Sequence, residues 1–335
     1  MSEPVDSAVQ EWPSFARVPM DEVLPAARPR GQKLARFVWW DGGVREASEI
    51  GVHYYANALH YGTAVFEGIR VYPTETRPCI FRLRDHVDRL IGSAALYGMA
   101  LPFTADQLVA AAIEVTRRNE IDNAYLRPLA YFGYGPIDLK PKTDCPVHVF
   151  VAARELGSFL GENALRNGVR VTVSSWRKFH HTMLPTMAKA SGHYANSVLA
   201  AHEARDRGFD DAILLNQDGT VASATGENIF FVRQGKLCTN DEMSSIVPGI
   251  TRDCILKIAR VLEIPVEIRA FTREELLRAD EVFLTGTAAE VTPVAEIDGV
   301  RYRTGQGTLG VLFRNVYLRA ATGRDQRFVD WVTLT

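Results

Sequence analysis

Long apolar runs are missing from this 335-residue chain. None approaches the roughly 20 residues of a membrane-spanning helix, so no span is expected. Cysteine is scarce. Cys79, Cys145, Cys238 and Cys254 are scattered and form no C-x-x-C pair, which argues against structural zinc and for a reducing compartment. Excess charge of either sign is also absent. The 38 Lys and Arg stand against 40 Asp and Glu, for a net charge of −2. That balance leaves no basic footprint for nucleic acid and no polybasic membrane patch. The N-terminus opens acidic, Met1-Ser2-Glu3-Pro4, with no apolar stretch of a secretory signal, so a cytoplasmic location is expected. What the chain does have is 47% hydrophobic and 23% charged residues, an ordinary globular composition. Small molecules and a second copy of the chain are the expected partners.

At 335 residues, two domains are expected. Residues 1–30 hold five prolines without a period and read as an arm. A smaller α+β domain is expected over 31–155, an interdomain loop over 156–167, where Gly157 and Gly161 fall, and a larger α/β domain over 168–335. Within the first domain, Phe37–Trp40 reads as a strand before a turn at Asp41-Gly42-Gly43. Thr63–Tyr72 reads as extended, with Phe66, Gly68 and Arg70 on one face. Helices are expected from about Arg84 and over Ala105–Arg118, then strands at Tyr125–Phe132 and Val147–Ala153. The second domain is expected to run through a strand at Val169–Ser174, a helix near Gly192–Arg207 and a strand at Ala212–Leu215. A strand at Ile229–Val232, a helix over Thr251–Leu262 and a strand at Glu281–Leu284 follow. Strands and helices mix without a regular βαβ repeat, so the fold class is α+β, or mixed α/β, in both halves.

Four segments carry candidate chemistry. Lys189 lies in Leu184-Pro185-Thr186-Met187-Ala188-Lys189-Ala190-Ser191-Gly192-His193-Tyr194, with no carboxylate at i±3 or i±4. A buried, unpartnered lysine lowers its pKa, and the neutral amine suits Schiff-base chemistry. The bland reading is a lysine that snorkels along an apolar wall to water. Glu227 precedes the apolar run Ile229-Phe230-Phe231-Val232. A carboxylate entering a buried strand needs a cation or an N–H partner; a cofactor's ring nitrogen or a plain arginine would serve equally. Pro248-Gly249-Ile250-Thr251 opens an amphipathic helix whose free N–H groups would cup an anion, though Pro-Gly helix entries are common. Thr285-Gly286-Thr287-Ala288-Ala289-Glu290 follows a strand and suits either a ligand-facing loop or a simple turn.

Together these segments resemble the branched-chain aminotransferases, within the fold type IV, or class IV, pyridoxal-phosphate enzymes. Further matches are Ala58–Arg70 and Ala124-Tyr125-Leu126-Arg127-Pro128, all in the family's order over about Phe37 to Asp298. The resemblance implies a two-domain fold with pyridoxal 5'-phosphate in the interdomain cleft and Lys189 as the Schiff-base lysine that also shuttles the proton. It implies Glu227 at the ring nitrogen, Tyr194 at the phenolic oxygen, and Arg89, Ile250, Thr251 and Thr287 around the phosphate. On the substrate side it implies Tyr125 and the N–H groups of Thr287 and Ala288 at the α-carboxylate. Phe66 and a neighbouring subunit's Tyr61 would wall an apolar pocket. Arg127, on the same strand face as Tyr125, would meet the γ-carboxylate of glutamate; a dimer-interface ion pair is its other reading. The implied activity is ping-pong transamination between L-branched-chain amino acids and 2-oxoglutarate by a homodimer. Phe159 and the loop 133–139 depart from the family pattern near the pocket. A D-amino-acid or (R)-amine transaminase of the same fold is the alternative. A metalloenzyme is disfavoured, since His180, His181, His193 and His202 form no H-E-x-x-H motif.

Overall fold

The computed structural model describes residues 35–156 and 167–335. Two sheets organise it. The first draws on seven strands from the N-terminal half: β1 (Phe37–Trp40), β2 (Gly43–Glu46), β3 (Ala64–Phe66), β4 (Ile69–Tyr72), β5 (Cys79–Phe81), β6 (Ala124–Phe132) and β7 (Val147–Glu155). Two helices, α1 (Leu83–Leu96) and α2 (Ala105–Asn119), follow β5. The second sheet contains β8 (Val169–Arg177), β9 (Asp211–Leu215), β10 (Val221–Ala224), β11 (Asn228–Arg233), β12 (Lys236–Thr239), β13 (Val266–Ile268), β14 (Glu281–Gly286), β15 (Glu290–Ile297) and β16 (Val300–Arg301). Helices α3 (Tyr194–Asp206), α4 (Ile250–Val261) and α5 (Leu309–Ala321) belong to this half, and a last strand, β17 (Val332–Leu334), ends the chain. The fold class is α+β, as expected.

Local sequence explains the elements that carry the site. In β6, Ala124, Leu126, Pro128 and Ala130 are buried while Tyr125, Arg127 and Leu129 are half-buried on the opposite face. The expected extended segment divides into β3 and β4 at Glu67-Gly68, both paired to β6. Arg70 lies opposite Tyr125 and Phe66 opposite Leu129, so Phe66, Arg70, Tyr125 and Arg127 share one sheet face. Helix α1 buries Leu83, Val87, Leu90 and Ala94, and α2 starts in a capping box between Thr104 and Gln107. The expected helix near 192–207 begins two residues late, after a 3₁₀ turn at Ser191–His193.

Several short elements lie beyond those expected, and three of the additions tie the fold together. β15 pairs antiparallel with β14 and parallel with β8. Helix α5 packs Phe313, Tyr317, Ala320 and Ala321 into a core shared with α4, Phe81 and Trp331. β17 pairs with β5, so the C-terminus closes the edge of the first sheet. The described residues form one compact unit. No helix among the described residues is long and apolar enough to cross a membrane. Among them, too, no cluster of His, Cys, Asp and Glu could hold a metal.

Candidate active site

A cleft brings together Arg89, Lys189, Tyr194, Glu227, Ile250, Thr251 and Thr287. It has three chemically distinct poles.

The first is an amine. The Lys189 Nζ donates to the Tyr194 hydroxyl at 2.8 Å and lies 5.1 Å from the Phe66 ring centroid. Its backbone is tied independently of its side chain: its N–H donates to Ser93 Oγ at 3.0 Å, and its carbonyl accepts from the Phe66 N–H at 3.0 Å. Burial pulls the amine's pKa down, but the nearby Tyr194, Glu67 and Tyr125 outweigh it and leave the pKa raised. The neutral lysine expected above is therefore corrected. Its partner sits at i+5, across the 3₁₀ turn, where helical spacing does not look.

The second pole attracts anions. Helix α1 places His86, Arg89 and Ser93 on one face, at spacings of three and four. The Arg89 Nε and Nη2 donate to the two oxygens of the buried Glu67 at 2.6 and 2.9 Å, and Nη1 donates to the Pro248 carbonyl at 2.8 Å. His86 adds a contact to Glu67 at 2.7 Å. Burial alone would raise the Glu67 carboxyl, but Arg89 and His86 hold it well below the usual range. Arg89 thus faces the start of α4, where Gly249 supplies no side-chain cap for the first N–H groups. A Cβ at Gly249 would collide with Asn228 Oδ1, whose amide donates to the Val247 carbonyl at 3.1 Å. Only glycine lets that loop close on the helix start.

The third pole is acidic. Glu227 is buried, and its carboxylate accepts from the Gly226 N–H at 3.0 Å. No salt-bridge cation pairs with it among the described residues, which removes the arginine reading. Asp211 is its neighbour, itself accepting from Thr225 Oγ1 at 2.6 Å and the Ala212 N–H at 2.8 Å. Burial, with the Asp211 charge adding, pushes the Glu227 carboxyl well above its ordinary value. A carboxyl in that setting is poised to accept an N–H⁺ donor.

Beside the amine, on the shared sheet face, the Arg127 guanidinium stacks 4.6 Å over Phe66 and 5.3 Å over Tyr125. Its Nη2 lies 3.4 Å from the Tyr125 hydroxyl, and no carboxylate among the described residues forms a salt bridge with it. The Tyr194 ring packs on Phe66 at 4.9 Å. Gly68 is needed here, because a Cβ would collide with the Tyr125 hydroxyl. Thr287 and Ala288 lie in the turn between β14 and β15. Tyr61 does not join them: it is 40% exposed, on the short helix Asn57–Tyr61. Phe159 lies outside the described residues. The loop 133–139 packs near that short helix, where Asn57 Nδ2 donates to the Asp138 carbonyl at 3.1 Å.

Four cleft or near-cleft residues escaped the sequence reading: Glu67, Arg70, Lys178 and Asp211. Glu67 and Asp211 carry the same signal that marked Glu227, a carboxylate at the edge of an apolar strand. Lys178 is buried at the cleft wall, and burial, with the Lys189 charge adding, pushes its amine down to about 8.

Comparison with known proteins points to one family. The model of the amino-transferase class IV family matches residues 64–297. The branched-chain-amino-acid aminotransferase of Escherichia coli K12 is 40% identical over 303 residues, 90% of this chain and 97% of that one. Among solved structures, the branched-chain aminotransferase of Thermoproteus uzoniensis with norvaline has a TM-score of 0.85 at 41% identity, covering 89% of this chain and 98% of that one. The branched-chain amino acid aminotransferase of Thermobaculum terrenum, in its PLP-bound holo-form, has a TM-score of 0.83 at 38% identity, covering 90% and 98%.

Proposed function

The chain belongs to the class IV aminotransferases, in their branched-chain-amino-acid family, and we propose on that premise that its three poles hold pyridoxal 5'-phosphate for transamination of branched-chain amino acids. The observation that carries the reading is one cleft lined by the buried Glu227, which forms no salt bridge among the described residues, by the Lys189 amine and by the Arg89 guanidinium beside the start of α4. Those groups match a ring nitrogen, a phosphate and an aldehyde in kind. Arg89, the N–H groups of Ile250 and Thr251, and Thr287 would hold the phosphate; Glu227 would hold the proton on the ring nitrogen; Tyr194 would bond the phenolic oxygen.

The bound cofactor supplies an aldehyde that captures the substrate amine and a ring that accepts the electron pair left at Cα. The chain's own residues do the rest. Lys189 Nζ, freed as a neutral amine when the substrate amine takes its place, would carry the proton from the substrate Cα to the carbon that had borne the aldehyde oxygen. The Tyr194 hydroxyl, 2.8 Å away, orients that amine. Tyr125 and the Thr287–Ala288 turn bind the α-carboxylate. Phe66 lines the apolar side-chain pocket, and the stacked Arg127 meets a γ-carboxylate, so leucine and glutamate use one site in turn.

Tyr61 would act on a partner's pocket. Tyr54, Tyr55, Leu59, Tyr61, Ile137 and Leu139 are all exposed, the apolar character of a surface covered in a homodimer. Dilution to the monomer should then abolish turnover; an active monomer would remove Tyr61 from the site.

The test is spectroscopic. Protein loaded with pyridoxal phosphate should show a visible band that L-leucine bleaches and 2-oxoglutarate restores. A band answering only to D-alanine or (R)-1-phenylethylamine would move the substrate assignment to those classes. No band at all would overturn the reading. A smaller change probes the carboxylate site. Gly68→Ala should raise the KM for leucine at least tenfold, about the 1–3 kcal/mol of an overpacked site, with cofactor content unchanged.

A further inference from the structure

We propose that Arg70 is a positioning residue that shapes the Thr287–Ala288 turn into a carboxylate receptor; the inference rests on the substrate reading above. Arg70 is buried on β4, in the first sheet, yet its guanidinium reaches the second. Its Nε donates to the Thr287 carbonyl at 3.4 Å and its Nη2 to the Ala288 carbonyl at 3.2 Å, while Nη1 donates to the Leu156 carbonyl at 3.0 Å. Glu290, at the foot of the same turn, lies 3.7 Å from Nη2 and accepts from the Tyr72 hydroxyl at 2.7 Å. Arg70, Tyr72 and Glu290 are all buried.

Peptide planarity turns these bonds into a directional statement. In a trans peptide the C=O and the following N–H point in opposite directions. Drawing the Thr287 carbonyl inward to Arg70 therefore turns the Ala288 N–H outward, and holding the Ala288 carbonyl does the same to the Ala289 N–H. Gly286, Thr287 and Ala288 are half-exposed although the strands on both sides are buried, and Gly286 and Thr287 line the cleft. Among the described residues no acceptor engages the Ala288 or Ala289 N–H, nor that of Thr287. The turn is thus pinned by its carbonyls and free at its donors, which is the arrangement an incoming carboxylate needs.

A strut that merely joins the two sheets would affect every ligand alike, so two probes separate the ideas. 4-Methylpentanoate has leucine's side chain and carboxylate but no amine. 3-Methylbutylamine has the side chain and amine but no carboxylate. In cofactor-loaded Arg70→Met, the Kd of 4-methylpentanoate, read from the visible band, should rise about 10- to 100-fold, the worth of hydrogen bonds to a charged group. Bleaching of the band by 3-methylbutylamine in a single turnover should stay within about threefold of wild type, and cofactor content should not change. Arg70→Lys, which keeps the charge but loses the fork, should fall between. Glu290→Gln, which leaves Arg70 in place, provides the same readout if Arg70→Met does not fold. Equal losses for both probes, or no loss for 4-methylpentanoate, overturn the proposal while the cofactor reading stands. A wild-type protein that takes up pyridoxal phosphate but binds no 4-methylpentanoate overturns the substrate reading and this inference with it.

Discussion

Lys189→Ala should abolish turnover, by about 10³-fold or more, and leave the fold intact. The backbone of Lys189 makes its structural bonds, to Ser93 and to Phe66, whereas among the described residues its side chain hydrogen-bonds Tyr194 alone. Truncation therefore removes the proton carrier and its link to the cofactor without removing a strut. Arg89, the α4 start and Glu227 remain, so the protein should still take up pyridoxal phosphate, now without the covalent link. Two measurements check this. The visible band of the loaded protein should shift towards that of the free cofactor, and leucine-dependent turnover should vanish. A small amine added in solution should restore part of the rate if the missing function is movement of the Cα proton. A variant that keeps more than a tenth of wild-type turnover would take Lys189 out of the role, whatever its band does.

Much of this site is legible because each pole leaves a local mark. Lys189 sits among Met187, Ala188 and Ala190 with no carboxylate in helical reach, and Gly249 precedes a helix with a clear apolar stripe. Period-two alternation in β6 is enough by itself to place Tyr125 and Arg127 on one face. What stays hidden depends on pairing across the chain. β15 reaches back to β8 and β17 to β5, and no local pattern names such a partner. Helix α5 is different: Phe313, Tyr317 and Ala320 repeat at helical spacing behind a Thr308 cap, so it was open to the same reasoning as the others. Glu67, Asp211 and Arg70 are hidden for a further reason. Each acts through another residue, and a sequence displays the group that meets a ligand more readily than the one that aims it. The Lys189 pKa failed on the same ground, since Tyr194 reaches it through a turn rather than along a helix.

Glu227→Gln should lower turnover by roughly 10²- to 10³-fold, the usual cost of losing one preorganised electrostatic partner, and should also change how stability responds to pH. In the cofactor-free protein, burial and the Asp211 charge raise the Glu227 carboxyl well above its ordinary value, and burial raises Asp211 as well. A group whose folded pKa is raised favours folding below its unfolded pKa and loses that contribution as pH climbs towards the folded value. The Tm of the cofactor-free protein should therefore fall as pH climbs above the ordinary carboxylate range, more steeply than unperturbed carboxylates would produce. Pyridoxal phosphate brings a ring N–H⁺ to the same carboxyl, favours its ionised form and removes the proton that burial had retained. The stabilisation given by the cofactor should therefore grow with the same rise in pH. Glutamine has no proton to lose, so in Glu227→Gln the cofactor-free slope should flatten and the pH-dependent part of the cofactor's stabilisation should disappear. Thermal melts with and without pyridoxal phosphate, at half-unit pH steps, read both effects. Parallel slopes in the two proteins, with turnover kept within tenfold, would mean that the ring nitrogen finds its partner elsewhere. Asp211 is then the first candidate, since its carboxylate is the charge that acts most strongly on Glu227.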